Sequence, residues 1–120
     1  MKQKVHSVSY LARAEFEFKN GVYDLVALPS GAEVVKVSLE IVGSPTNGNV
    51  SVGFKDETTK SYFLILENIT AQDKNATSAK DYKVTSNKVV VAEVKNANGN
   101  DIKGVLRVLY FLPSVIEVEY

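Results

Sequence analysis

The chain has no cysteine, no tryptophan and one histidine, His6. The missing thiols exclude disulfide scaffolds, zinc ribbons, thiolate catalysis and iron–sulfur ligation. They leave the compartment open, because secreted proteins can also lack cysteine. One histidine closes off multi-histidine metal sites and leaves little for a His-based triad. Charge of one sign is missing too: fourteen Lys and Arg balance fourteen Asp and Glu. No long-range field draws the chain toward nucleic acid or anionic lipid. Apolar runs such as Val89-Val90-Val91-Ala92 and Val108-Leu109-Tyr110-Phe111-Leu112 fall far short of the roughly 20 residues that span a bilayer as a helix. The basic start Met1-Lys2-Gln3-Lys4 is not followed by the apolar centre of a signal peptide. The expectation is a soluble protein that binds neither nucleic acid nor membrane.

What the chain has is β-branched residues: 19 Val, 5 Ile and 6 Thr among 120. Such side chains suit a pleated, half-buried surface and lose χ1 freedom in helices. Their period is two. Over 10–18, Tyr10, Ala12, Ala14, Phe16 and Phe18 share one face, and Arg13, Glu15 and Glu17 the other. Over 33–42, Val35, Val37, Leu39 and Ile41 alternate with Lys36, Ser38 and Glu40, and Val50, Val52 and Phe54 repeat the pattern. Around 89–94 both parities are apolar, as for a strand covered on both sides, and 105–112, broken only by Arg107, reads as a central strand. Ile116, Val118 and Tyr120 alternate with Glu117 and Glu119. Asn20-Gly21 reads as a two-residue hairpin turn, Leu28-Pro29-Ser30-Gly31 as a proline turn, and 43–48, 55–60 and 96–101 as loops that close further strand pairs.

One domain is expected at this length. The fold class read from these patterns is all-β: a single antiparallel β-sandwich, jelly-roll-like, with about eight strands. Its stretch 1–9 is read as an N-terminal arm and 113–120 as an edge strand. The segment 70–81, with three Ala among polar residues and no alternation, is expected to be an irregular or short-helical excursion.

Chemistry is sparse. His6 lacks an organised partner, and Ser7 and Ser9 sit in no nucleophile elbow. Glu15 and Glu17, about 7 Å apart by strand rise, overlap the spacing of inverting glycosidase carboxylates. Glu117 and Glu119 repeat the arrangement, as expected of the wet face of any sheet. The loop 96–101 offers oxygen ligands for Ca²⁺ but only Asp101 is charged, and hard cations prefer several carboxylates. Gly43 and Gly48 are spaced as in a P-loop, yet Asn49-Val50 replaces the phosphate-gripping Lys-Ser/Thr. Sequons begin at Asn49, Asn68 and Asn75 and matter only on a eukaryotic secretory route. Tyr23, Tyr62, Tyr82 and Tyr120 are candidate sugar platforms, whereas Phe16, Phe18, Phe54, Phe63 and Phe111 occupy apolar strand positions suited to the core. No catalytic residue, cofactor or metal ligand is assigned, and the chain is read as non-enzymatic.

The passage Leu28-Pro29-Ser30-Gly31-Ala32, set between an early strand and the Val-rich strand at 33–42, resembles small structural proteins of tailed bacteriophages and prophages. These are capsid decoration, head-fibre or minor structural proteins. Asn49-Val50-Ser51-Val52-Gly53, the variable excursion at 70–81 and the Val-Leu-Tyr-rich strand at 105–112 extend the similarity, and the chain departs from it by continuing past Pro113. The resemblance implies a virion structural protein, made in the bacterial host cytoplasm, that docks in many copies on itself or on other virion proteins. It implies no catalytic residues. Val115, Ile116, Val118 and Tyr120 are the candidate interface, through strand addition to a neighbour. The second reading is a glycan- or receptor-binding module of a fibre, with a host-surface glycan as partner.

Overall fold

The computed structural model describes residues 8–112 in full and the strands Lys2–His6 and Val115–Glu119 as backbone. Among the described residues there is no helix, hence none long enough to cross a membrane. Eleven strands follow in chain order: β1 (Lys2–His6), β2 (Ser9–Glu17), β3 (Gly21–Leu28), β4 (Glu33–Val42), β5 (Asn47–Phe54), β6 (Leu64–Leu66), β7 (Asn75–Ser78), β8 (Tyr82–Lys83), β9 (Lys88–Asn98), β10 (Lys103–Phe111) and β11 (Val115–Glu119).

The antiparallel pairings nest. β5 pairs with β6, β4 with β7, β3 with β9, β2 with β10 and β1 with β11. This is one long hairpin folded back on itself. Rolling it brings β4 against β10 and β5 against β9, which yields one sheet ordered β2-β10-β4-β7, with β8 also on β4, and a second ordered β3-β9-β5-β6. Two packed sheets wound in this way are a jelly roll. The outermost rung, β1 with β11, is a two-stranded ribbon of its own.

The expected alternation builds the core. Phe16, Val37, Leu39, Ile41, Val50, Val52, Val90, Ala92, Val94, Leu106 and Val108 are all buried between the sheets. No polar or charged residue is buried among the described residues, so no uncompensated polar group offsets the apolar gain. Each fully buried Val or Leu contributes roughly 1.5–3 kcal/mol over its exposed state. Aromatics close both ends of β5: Phe18 packs on Gly48, and Phe54 packs with Tyr62, Phe63 and Tyr82 at centroid distances of 4.6–5.4 Å. β10 lies between β2 and β4 as the central strand its composition suggests. β9 is covered on both sides. Val91 faces away from the core cluster yet is 0% exposed, because the loop 55–61 folds over its register partner Gly53. A Cβ on Gly53 would lie 2.6 Å from the Ser61 amide nitrogen and 2.7 Å from the Lys60 carbonyl carbon.

Five local expectations are corrected. Asn20-Gly21 is not a hairpin turn: β2 and β3 lie in different sheets, so the turn carries the chain from one layer to the other. Residues 96–98, expected in a loop, are the end of β9, and the connection at 99–102 likewise joins β9 to β10 across the layers. The excursion 70–81 is a strand in part, since β7 pairs with β4 from Val37↔Ser78 to Glu40↔Asn75. An edge strand covered on one side only needs little apolar alternation, which is why the sequence hid it. In β4, Val34 rather than Val35 is buried. A register shift opposite Leu109/Tyr110 inserts an extra residue there and flips the facing. The same central strand leaves Phe111 only half-buried and outside the core cluster.

The radius of gyration, 15.9 Å, exceeds the roughly 13.6 Å of a compact chain of this length, and the extents are 55 × 27 × 18 Å. The elongation follows from topology, as the β1–β11 ladder succeeds the β2–β10 ladder along the same two chains. The register steps by one residue between them: Ser9 pairs with Phe111, but Val5 with Ile116.

Candidate interaction surfaces

The candidate carboxylates are spread along an edge strand. Glu15 sits opposite Val105 and is paired with Arg13 at 2.9 Å; Glu17 sits opposite Lys103 and is paired with Lys19 at 3.4 Å. All four side chains are 47–77% exposed, so each acid is neutralised at the surface and water reaches both. His6 belongs to β1, beyond the opposite end of β2 from Glu17. No cleft unites the three in the described structure. The side chains of His6, Glu117 and Glu119 lie outside the described residues.

The stretch 96–101, the end of β9 and the turn after it, is held by backbone geometry. Asn96 and Asp101 take φ of 56° and 55°, the left-handed region that Asn and Asp tolerate best among non-glycine residues. Asn20 Oδ1 accepts a hydrogen bond from the Ala97 amide at 2.9 Å. The groove beside this loop is lined by Glu17, Lys19, Asp101 and Lys103, two acids against two lysines. Among the described residues no group of three or more His, Cys, Asp or Glu could hold a metal. Gly48, read against a phosphate loop, serves packing instead: a Cβ there would enter the Phe18 ring.

The tyrosines fall into three separate places. Tyr23 stacks on Phe16 at 5.5 Å and donates its hydroxyl to the Lys19 carbonyl at 2.7 Å. Tyr62 and Tyr82 meet edge to face at 5.2 Å within the Phe54 cluster, and Lys80 Nζ lies 3.9 Å from the Tyr62 ring centroid. Tyr10 stacks on Tyr110 at 5.8 Å. These rings are engaged with one another rather than arrayed as an open platform. Tyr120 lies outside the described residues. Near the Phe54 cluster, Lys88 bonds Asp56. The hydrogen bond to Lys88 lowers the Asp56 carboxyl below its ordinary value, and the same bond raises the Lys88 ammonium above its own.

Of the candidate interface, Val115, Ile116 and Val118 lie in β11, opposite His6, Val5 and Gln3 of β1. One apolar position was missed in the sequence. Leu11, 62% exposed, faces outward on β2 beside its register partner Leu109, with Lys36 flanking it on β4. The signal was legible: Leu11 breaks the polar parity that Arg13, Glu15 and Glu17 otherwise keep. The same outer face carries Arg107 paired with Glu40 at 3.3 Å. The other large apolar exposures among the described residues are Tyr10, Val22, Val42 and Ile65.

Over 100% of both chains, this protein is 75% identical, with a TM-score of 0.93, to a chain in the acid-stable capsid structure of Helicobacter pylori bacteriophage KHP30. The chain belongs to the bacteriophage virion structural proteins. A second solved structure, the cyanophage Pam1 capsid asymmetric unit, shares its fold: 22% identity over 88% of this chain and 85% of that one, TM-score 0.64. No family model and no curated protein matches. For a virion structural protein the surface is coherent. It is part of the particle, its described surface carries six local ion pairs, and its large exposed apolar side chains are few.

Proposed function

We propose that this virion protein is a capsid decoration or head-fibre component that docks in many copies on a phage shell and performs no catalysis. The observation that carries the reading is the full-length, 75% identity to a chain of a phage capsid structure. The form of the domain supports it. A jelly roll with a purely apolar core needs no cofactor or metal to fold, and the outer faces of both its sheets carry charged pairs, Arg107 with Glu40 on one and Lys95 with Glu93 on the other, as suits an accessory added to a preformed shell. Separated, mutually packed tyrosines give the glycan-binding reading no comparable support.

The test is re-decoration. Particles made without the gene are mixed with purified protein, and bound copies are counted by quantitative mass spectrometry and cryo-electron microscopy. The expected result is saturable binding at a fixed ratio to the shell subunit, at repeated lattice positions. Failure to bind bare particles, or a few copies confined to one vertex, would overturn the reading.

A further inference from the structure

The ribbon carries a pattern that its own two strands do not exhaust. Lys2 stands opposite Glu119 and Lys4 opposite Glu117; between them Gln3 faces Val118 and Val5 faces Ile116. Strand alternation puts the two Lys and two Glu positions on one face and Gln3, Val5, Ile116 and Val118 on the other. Among the described residues neither β1 nor β11 pairs with any other strand. A two-stranded ribbon is marginal in water by itself, and each of its strands keeps one row of unsatisfied N–H and C=O groups, a template for another chain.

We infer that these rows are satisfied by further copies of the same chain, the free edge of β11 in one copy pairing antiparallel with the free edge of β1 in the next. The inference rests on the multi-copy docking proposed above and names the element through which copies meet. Charge selects this pairing over the symmetric ones. Joining β11 to β11 in full-length register sets Glu117 against Glu117, and joining β1 to β1 sets Lys4 against Lys4. Like charges directly opposed are destabilising. β11 against β1 keeps every Lys opposite a Glu, in the register already present within the chain.

Hydrogen-bond parity permits it. Along an antiparallel ladder, opposite residues alternate between exchanging both bonds and exchanging none. A pair bonded within the chain is therefore non-bonded across chains, and the reverse, so one register serves both edges. Facing is conserved as well. The apolar positions of successive ribbons fall on one side and widen into a shared apolar face. The contact is head-to-tail, so copies close into rings or continue as a row, according to the rotation between neighbours.

The absence of cysteine makes a clean test. Lys4→Cys and Glu117→Cys chains each carry one thiol, which has no partner within its own chain. They are mixed under mild oxidation, both at high concentration in solution and co-assembled on particles. A mixed disulfide dimer several-fold above either homodimer is expected in at least one setting. Charge-swapped chains supply the second measurement. Lys2→Glu/Lys4→Glu and Glu117→Lys/Glu119→Lys are each expected to be monomeric by sedimentation and to associate when combined. No excess of mixed dimer in either setting, together with a combined sample that stays monomeric, would overturn the inference. Wild-type protein that still decorates particles in that case leaves the decoration reading standing. Cross-linking without decoration has the opposite consequence.

Discussion

In the sandwich, alternation brings two apolar faces together. Leu39 and Leu106, register partners in the five-stranded sheet, are at most 1% exposed, as are Val50, Val52, Val90 and Ala92 across the core. In the β1–β11 ribbon the same alternation sets Val5, Ile116 and Val118 apart from the Lys and Glu positions, but the sheet holds no third strand. One region completes its own burial. The other has periodicity without a second layer, as expected of a segment finished by a neighbour.

The largest expected effect breaks the sandwich. Leu106→Ala should lower stability by about 2–5 kcal/mol, because a fully buried leucine leaves a cavity that the flanking strands cannot close. Deleting both ribbon strands should lower the sandwich's unfolding free energy by less than about 0.5 kcal/mol, since poorly packed ends open independently of a core. Equilibrium unfolding followed by tyrosine fluorescence measures both. Equal losses would erase the contrast.

A smaller effect sharpens the packing argument. Gly104 lies opposite Phe16 on β2, and a Cβ there would enter the Phe16 ring. Gly104→Ala should cost about 1–3 kcal/mol by overpacking, and Phe16→Leu added to it should return part of the loss. Additive losses in the double variant would show that the ring is not the obstacle.

The smallest concerns Asp56 and Lys88. The Asp56 carboxyl is held below its ordinary 3.8 in the fold. Its contribution is therefore present above that value and fades as pH falls through the lower folded value. Lys88, raised above 10.5, contributes below that value and loses its share as pH climbs past the folded one. Asp56→Asn should lower the melting temperature slightly at neutral pH, and the gap should close in strong acid. A constant gap across the acid range would separate the effect from the ion pair.

How much of this was legible in the sequence differs between the same two regions. Strands such as β2, β4 and β5 announced themselves by alternation and β10 by a run apolar in both parities, and Phe16, Leu39 and Val52 could be placed facing inward from spacing alone. Layer membership was not legible. Asn20-Gly21 has hairpin chemistry, but whether neighbouring strands pair is decided by the rolling of the whole chain, which set β2 beside β10 and β3 beside β9. β7 was hidden because an edge strand with Ala76 as its inward apolar residue has no run to read. The partnering of β1 with β11 spans the sequence. Its one local trace is the match of Lys2 and Lys4 with Glu119 and Glu117, visible only once the two segments are compared directly.

Backbone amide exchange, read by mass spectrometry on dilute free protein and on decorated particles, tests the contrast most directly. In the free protein, β9 and β10 should exchange slowest and β1 and β11 fast, with the ribbon amides becoming protected only on the particle. Ribbon amides as slow as those of β10 in the dilute monomer, or unchanged on assembly, would contradict it.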